Sequence, residues 1–88
     1  MQTGGDSMKN EPKALQVLCN YGSVDIHLRE IMEQKGVSRY QLARLTNTRF
    51  EVVNKWYQGH VERIDADILA RFCFCLGCSV ADLIQYRI

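Results

Sequence analysis

No run of apolar residues in this 88-residue chain approaches the roughly 20 that a membrane-spanning helix needs, so no membrane association is expected. The opening stretch MQTGGDSMKNEP contains no apolar segment that could act as a secretory signal, which points to a cytoplasmic protein. Paired carboxylates, a nucleophile elbow and a glycine-rich phosphate loop are all missing. The two histidines, His27 and His60, stand far apart and lack acidic or cysteine partners at ligand spacing. An enzyme has nothing to build on, and no cofactor, bound metal or small-molecule substrate is expected. A large charge excess is missing too, since eleven basic and ten acidic residues leave a formal +1.

What is present is a chain of one-domain size with 47% hydrophobic residues, enough for one core of short packed elements and too little for a deep substrate cavity. The small net charge is unevenly spread. From Arg39 to Lys55 there are four basic residues (Arg39, Arg44, Arg49 and Lys55) against one acid, Glu51, while the rest of the chain carries seven against nine. A basic middle on a slightly acidic protein is what a localised phosphate-facing surface would need.

Residues 1–12 are polar with no periodic pattern and are expected to be a disordered N-terminal segment. In residues 13–23, Leu15, Leu18 and Cys19 fit helical spacing while Leu15, Val17 and Cys19 fit alternation, so this piece is an extra helix or an extra strand. Residues 24–88 read as the domain proper. Leu28, Ile31 and Met32 form the stripe of a first helix, which Lys35 and Gly36 bring to a stop. Ser38, with Gln41 three residues on, starts a second helix over about 38–46. A third runs over about 49–58, with Val53, Trp56 and Tyr57 turned inward and Glu51, Asn54, Lys55 and Gln58 outward. Asp65 and Ser79 repeat the start signal, giving a fourth helix on Leu69, Phe72, Cys73 and Leu76, closed by Gly77, and a short fifth.

Two helices joined by a very short link, with small Ala43 inside the first and turn-tolerant Asn47 between them, make a helix-turn-helix. At LREIMEQKGVS, QLARLT, NKWYQG and RIDADILARFCFCLGCSVADLIQY the chain resembles the Cro and lambda-repressor-like (XRE) family of DNA-binding regulators, in particular its small single-domain members. The resemblance runs without gaps from about Val24 to Tyr86. It implies an all-α, five-helix fold of the lambda-repressor type, in which helix 2 crosses the DNA backbone and helix 3 reads bases.

Carried onto this sequence, the resemblance places Arg39 where the family usually has a phosphate-contacting Gln, and Arg49 to Lys55 in the base-reading segment. The expected base readers are Arg49, Phe50, Glu51, Asn54 and Lys55; Asn can pair with adenine and Lys can donate to guanine. The expected phosphate contacts are Arg39, Tyr40, Arg44, Gln58 and His60. The chain departs from the pattern at the turn, where Asn47 replaces the usual Gly, Thr48 an apolar residue, and Arg49 the usual Ser cap. Thr48 and Glu51 can form a capping box of their own, which would make Glu51 partly structural. Phe50 stands where a polar reader is common; it either touches a thymine methyl or folds inward beside Val53 and Tyr57.

The expected partners are a duplex DNA operator and a second copy of the chain, with the homodimer acting as a transcriptional regulator, a repressor, on an inverted repeat. The alternative is an antitoxin-like adaptor using the same fold for protein contacts, which Phe50 and Glu51 favour. The cysteines offer a further class. Cys73 and Cys78 fit the core and Cys75 replaces a small residue, so small packed side chains are preferred over a metal site with Cys19 or a thiol switch. Phe74, at a position commonly charged in similar proteins, is either part of a dimer patch with the apolar end Leu83 to Ile88 or is covered by Lys13 to Tyr21.

Overall fold

The computed structural model describes residues 20–88, so the readings for residues 1–12, for most of the extra element at 13–23 and for Cys19 lie outside the described residues. Strand β1 (Ser23–Ile26) is followed by α1 (Leu28–Lys35), α2 (Arg39–Thr46), α3 (Phe50–Gln58), α4 (Ala66–Leu76), α5 (Val80–Leu83) and strand β2 (Ile84–Arg87). Five helices carry the fold, as expected. The two-stranded ribbon is an addition that the sequence reading did not contain.

The ribbon is antiparallel, with Ile26 opposite Ile84 and Val24 opposite Tyr86. Ile26 and Ile84 rest on the core, and on the other face Arg87 grips the Asp25 carboxylate through Nε at 2.8 Å and Nη2 at 3.2 Å. Gly22 makes the entry possible: its φ is +87°, and a Cβ there would meet the Arg87 carbonyl oxygen at 2.5 Å. The Tyr86 hydroxyl closes the end by donating to the Tyr21 carbonyl at 2.6 Å.

Local chemistry sets the helix ends. Ser38 and Gln41 form a reciprocal capping box, Gln41 N–H to Ser38 Oγ at 3.1 Å and Ser38 N–H to Gln41 Oε1 at 3.0 Å. Ser79 and Asp82 repeat it at α5, and the bonds from Ser79 hold the Asp82 carboxyl below its ordinary pKa. Asp65 Oδ1 accepts from the N–H groups of Asp67 and Ile68 at 2.8 and 3.1 Å. His27 takes the N-cap position of α1, is half-buried, and its backbone N–H donates to the Leu83 carbonyl at 2.8 Å.

The core gathers Leu28, Ile31 and Met32 of α1, Leu42 of α2, Val53 and Trp56 of α3, Phe72 and Leu76 of α4, and Leu83 of α5. Trp56 meets Phe72 edge to face at a centroid distance of 5.2 Å, a pairing favoured by the ring quadrupoles. Cys73, Cys75 and Cys78 are free thiols packed half-buried against this cluster, and burial pushes the Cys78 thiol pKa up. Among the described residues no helix is long and apolar enough to cross a membrane.

Candidate nucleic-acid interface

The turn between α2 and α3 fixes the site. Asn47 takes the left-handed conformation (φ 52°, ψ 47°) that the family usually gives to Gly, and Thr48 N–H donates to the Ala43 carbonyl at 2.9 Å. Buried Thr46 donates its hydroxyl to the Leu42 carbonyl at 2.6 Å. Arg71 of α4 clamps the turn from below. Its Nη1 donates to the Thr46 and Asn47 carbonyls at 3.2 and 3.1 Å, and its Nη2 pairs with Asp67 at 2.8 Å. Those carbonyls belong to the last turn of α2, where orphan acceptors need partners. Arg71 was not among the residues expected from sequence; its only local signal is the i, i+4 spacing to Asp67.

The capping box expected for α3 does not form. Arg49, not Thr48, is the N-cap and makes no side-chain cap, so Thr48 stands one residue outside the helix and its hydroxyl donates back to the Thr46 carbonyl at 3.2 Å. Glu51 is therefore an exposed first-turn carboxylate, favourable toward the helix dipole but bonded into no cap.

Helical periodicity sorts the rest of α3 into an inner and an outer stripe. Phe50, Asn54 and Tyr57 line the seam toward α2, all half-buried; Glu51, Lys55 and Gln58 lie outside them, all exposed. Across the seam, Tyr40 stacks on Phe50 with ring centroids 4.4 Å apart and planes 18° from parallel. Phe50 does not fold into the core beside Val53: it lies half-buried in the seam, stacked beneath a Tyr40 that is 73% exposed. Arg39 is half-buried, donates from Nη1 to Asn54 Oδ1 at 2.7 Å, and holds its guanidinium 4.6 Å from the Tyr57 ring centroid and 5.8 Å from that of Phe50. Arg44 is exposed one turn after Tyr40 on the same face of α2. His60 is exposed beyond Gly59, lining an open depression of about 650 Å³ with Lys55 and Arg63.

Unpaired cations gather near the seam. Among the described residues Arg29 pairs with Glu33, Arg71 with Asp67 and Arg87 with Asp25, whereas Arg39, Arg44, Arg49 and Lys55, and away from the seam Lys35 and Arg63, make no ion pair with any described residue. Uncompensated cations gathered on two adjacent helices produce the positive potential that attracts polyanions. No group of three or more His, Cys, Asp or Glu residues is placed to hold a metal among the described residues.

The family profile of the Cro/C1-type HTH DNA-binding domain matches residues 27–87. Among solved structures, the chain is similar to a proposed DNA-binding protein from Bacteroides fragilis, with a TM-score of 0.64, 14% identity, and coverage of 72% of this chain and 100% of that one; at this identity the likeness is one of fold. It is also similar to two structures of the clp gene regulator ClgR from Corynebacterium glutamicum, each 31% identical over 62% of this chain, with TM-scores of 0.56 and 0.55 and coverage of 57% and 70% of the respective ClgR chains. No curated protein matches. With the profile spanning most of its length and the helix-turn-helix in place, the chain belongs to the Cro/C1-type HTH DNA-binding domain family.

Proposed function

We propose that residues 24–88 bind a specific site on duplex DNA through the α2–α3 face and so regulate transcription, as a homodimeric repressor on an inverted repeat with half-sites about one helical turn (~10 bp) apart. The observation that carries this reading is the concentration of unpaired charge: of the six described Lys and Arg residues that make no ion pair, four (Arg39, Arg44, Arg49 and Lys55) fall on α2, α3 and the turn between them, and two, Lys35 and Arg63, lie elsewhere. In this reading Arg39, Tyr40, Arg44, Gln58 and His60 grip the backbone, and Arg49, Glu51 and Lys55 face the bases, with Phe50 available to a thymine methyl. The dimer is supported by apolar side chains left open to solvent, Phe74 at 90% exposure and Tyr86 and Ile88 on the ribbon's end.

Selection of bound duplexes from a random pool, followed by salt titration of the selected site, tests the reading. A palindromic site whose affinity falls steeply with salt is expected, because each neutralised phosphate releases condensed counterions. The second reading, a protein-binding adaptor, is favoured by exposed Tyr40 stacked on half-buried Phe50 and by Glu51 on the outer stripe. Selection that enriches no sequence, together with weak salt dependence, would choose the adaptor.

A further inference from the structure

Asparagine on a recognition helix is ordinarily read as an adenine contact. We propose instead that Asn54 is the positioning partner of Arg39, holding that guanidinium ready for a backbone phosphate, and that it reads no adenine. The inference rests on the DNA-binding reading above and assigns the seam's role within it.

To read adenine, one amide must accept from the N6 amino group and donate to N7 at once. In this chain the amide oxygen is engaged, accepting from Arg39 Nη1 at 2.7 Å. The assignment of that oxygen follows from chemistry, since a guanidinium has only donors and a flipped amide would set donor against donor. Because arginine keeps its charge, the bond is charge-assisted and stronger than a neutral pair. Turning Oδ1 to a base would break it and leave Arg39 without its polar anchor.

Arg39 is held from other directions as well, by Tyr57 at 4.6 Å and Phe50 at 5.8 Å from the ring centroids. A long side chain normally loses rotamer entropy when it grips a ligand, and here much of that ordering precedes binding. Only one of the guanidinium N–H groups is used by Asn54, which leaves the others for phosphate oxygens. A phosphate contact carries no direct sequence information, so Asn54 governs affinity and register but not base preference.

The test uses the duplex selected from a random pool by the wild-type chain, with single-base variants of each half-site. Binding is measured across salt for wild type, Asn54→Ala, Arg39→Ala and the double variant. Asn54→Ala is expected to weaken every duplex by a similar factor, about tenfold. Its salt slope should fall by about one, toward that of Arg39→Ala. In the Arg39→Ala background, Asn54→Ala should change nothing further. Asn54→Asp, which keeps an oxygen toward Arg39 and is the milder change for the fold, should retain the wild-type base preference at every position. An adenine reader would behave otherwise: Asn54→Ala would relax one position, Asn54→Asp would shift it toward cytosine, and the two losses would add. Any of these results overturns the proposal. Wild-type chain that binds duplex without salt dependence or sequence preference overturns the DNA-binding reading itself, a failure visible before any variant is made.

Discussion

Arg87 on the ribbon and Arg39 on the α2–α3 seam are the same residue type put to opposite uses. Arg87 meets the Asp25 carboxylate with two nitrogens, so its charge is cancelled within the chain. Arg39 meets a neutral amide and the faces of two rings, which fix its position and leave its charge intact. Bonding serves orientation in both places, but only on the seam does it leave the cation without a carboxylate. A site that must attract an anion needs positive side chains ordered without carboxylates, and aromatic faces together with amide oxygens supply that.

The largest expected effect removes the scaffold that both regions share. Phe72→Ala takes away a fully buried ring that meets Trp56 edge to face, and should cost about 3–5 kcal/mol in urea or thermal unfolding. DNA binding should disappear only where the fold does, and loss of binding by a variant still fully folded would contradict this. Next comes a pair of variants that separates the two regions. Arg49→Ala combined with Lys55→Ala should lower affinity for the selected duplex by roughly one to two orders of magnitude and relax its base preference, with the melting temperature almost unmoved. Arg87→Ala should do the reverse, lowering the melting temperature and leaving affinity and base preference alone. Were both variants to change both quantities alike, the division of labour would be wrong.

Arg71 lies between the two kinds, since it is paired with Asp67 yet bonded to the turn of the binding motif. Arg71→Ala should cost about 1 kcal/mol of stability through the carbonyls it leaves unpaired. It should also weaken DNA binding a few-fold by loosening the angle between α2 and α3. Amide exchange at Asn47 and Thr48 would report the loosening directly, and unchanged exchange there would remove Arg71 from the list of turn-holding residues.

How much of this was legible depended on the range of the interaction. The caps at Ser38, Asp65 and Ser79 act over two or three residues and are written in the local string. The stripe of Leu28, Ile31 and Met32 and the inward Val53 and Trp56 follow from helical period alone. Period gives the angle of Phe50 on its own helix but not what the neighbouring helix presents to it, so the stack on Tyr40 was out of reach. The ribbon was hidden for a similar reason: its strands are four residues each and pair across some sixty residues, too short and too distant for alternation to register. Asn54 was legible as a polar face residue, while the loss of its oxygen to Arg39 was not, because that bond joins two helices. The Thr48–Glu51 box failed because α3 starts one residue later, with Arg49 as its N-cap, and a one-residue shift of a helix start is set by the turn rather than written in the local string.

The smallest expected effect tests the compensated half of the comparison through pH. Hydrogen bonding from Arg87 holds the Asp25 carboxyl below its ordinary value of 3.8. A carboxyl with a lowered folded pKa binds its proton more weakly in the native state, so its contribution is fully present above 3.8 and is lost as pH falls through the lower folded value. Asp25→Asn should therefore melt below wild type by a constant, small interval near neutrality. That interval should narrow steadily as the buffer is taken below pH 3.8, because the wild-type carboxyl is then neutralised as well. The same acidification should not narrow the gap between wild type and Phe72→Ala, whose cost is apolar. Equal narrowing in both would mean that acid is acting on the fold at large, and the ribbon's ion pair would lose its place as the site where charge is settled within the chain.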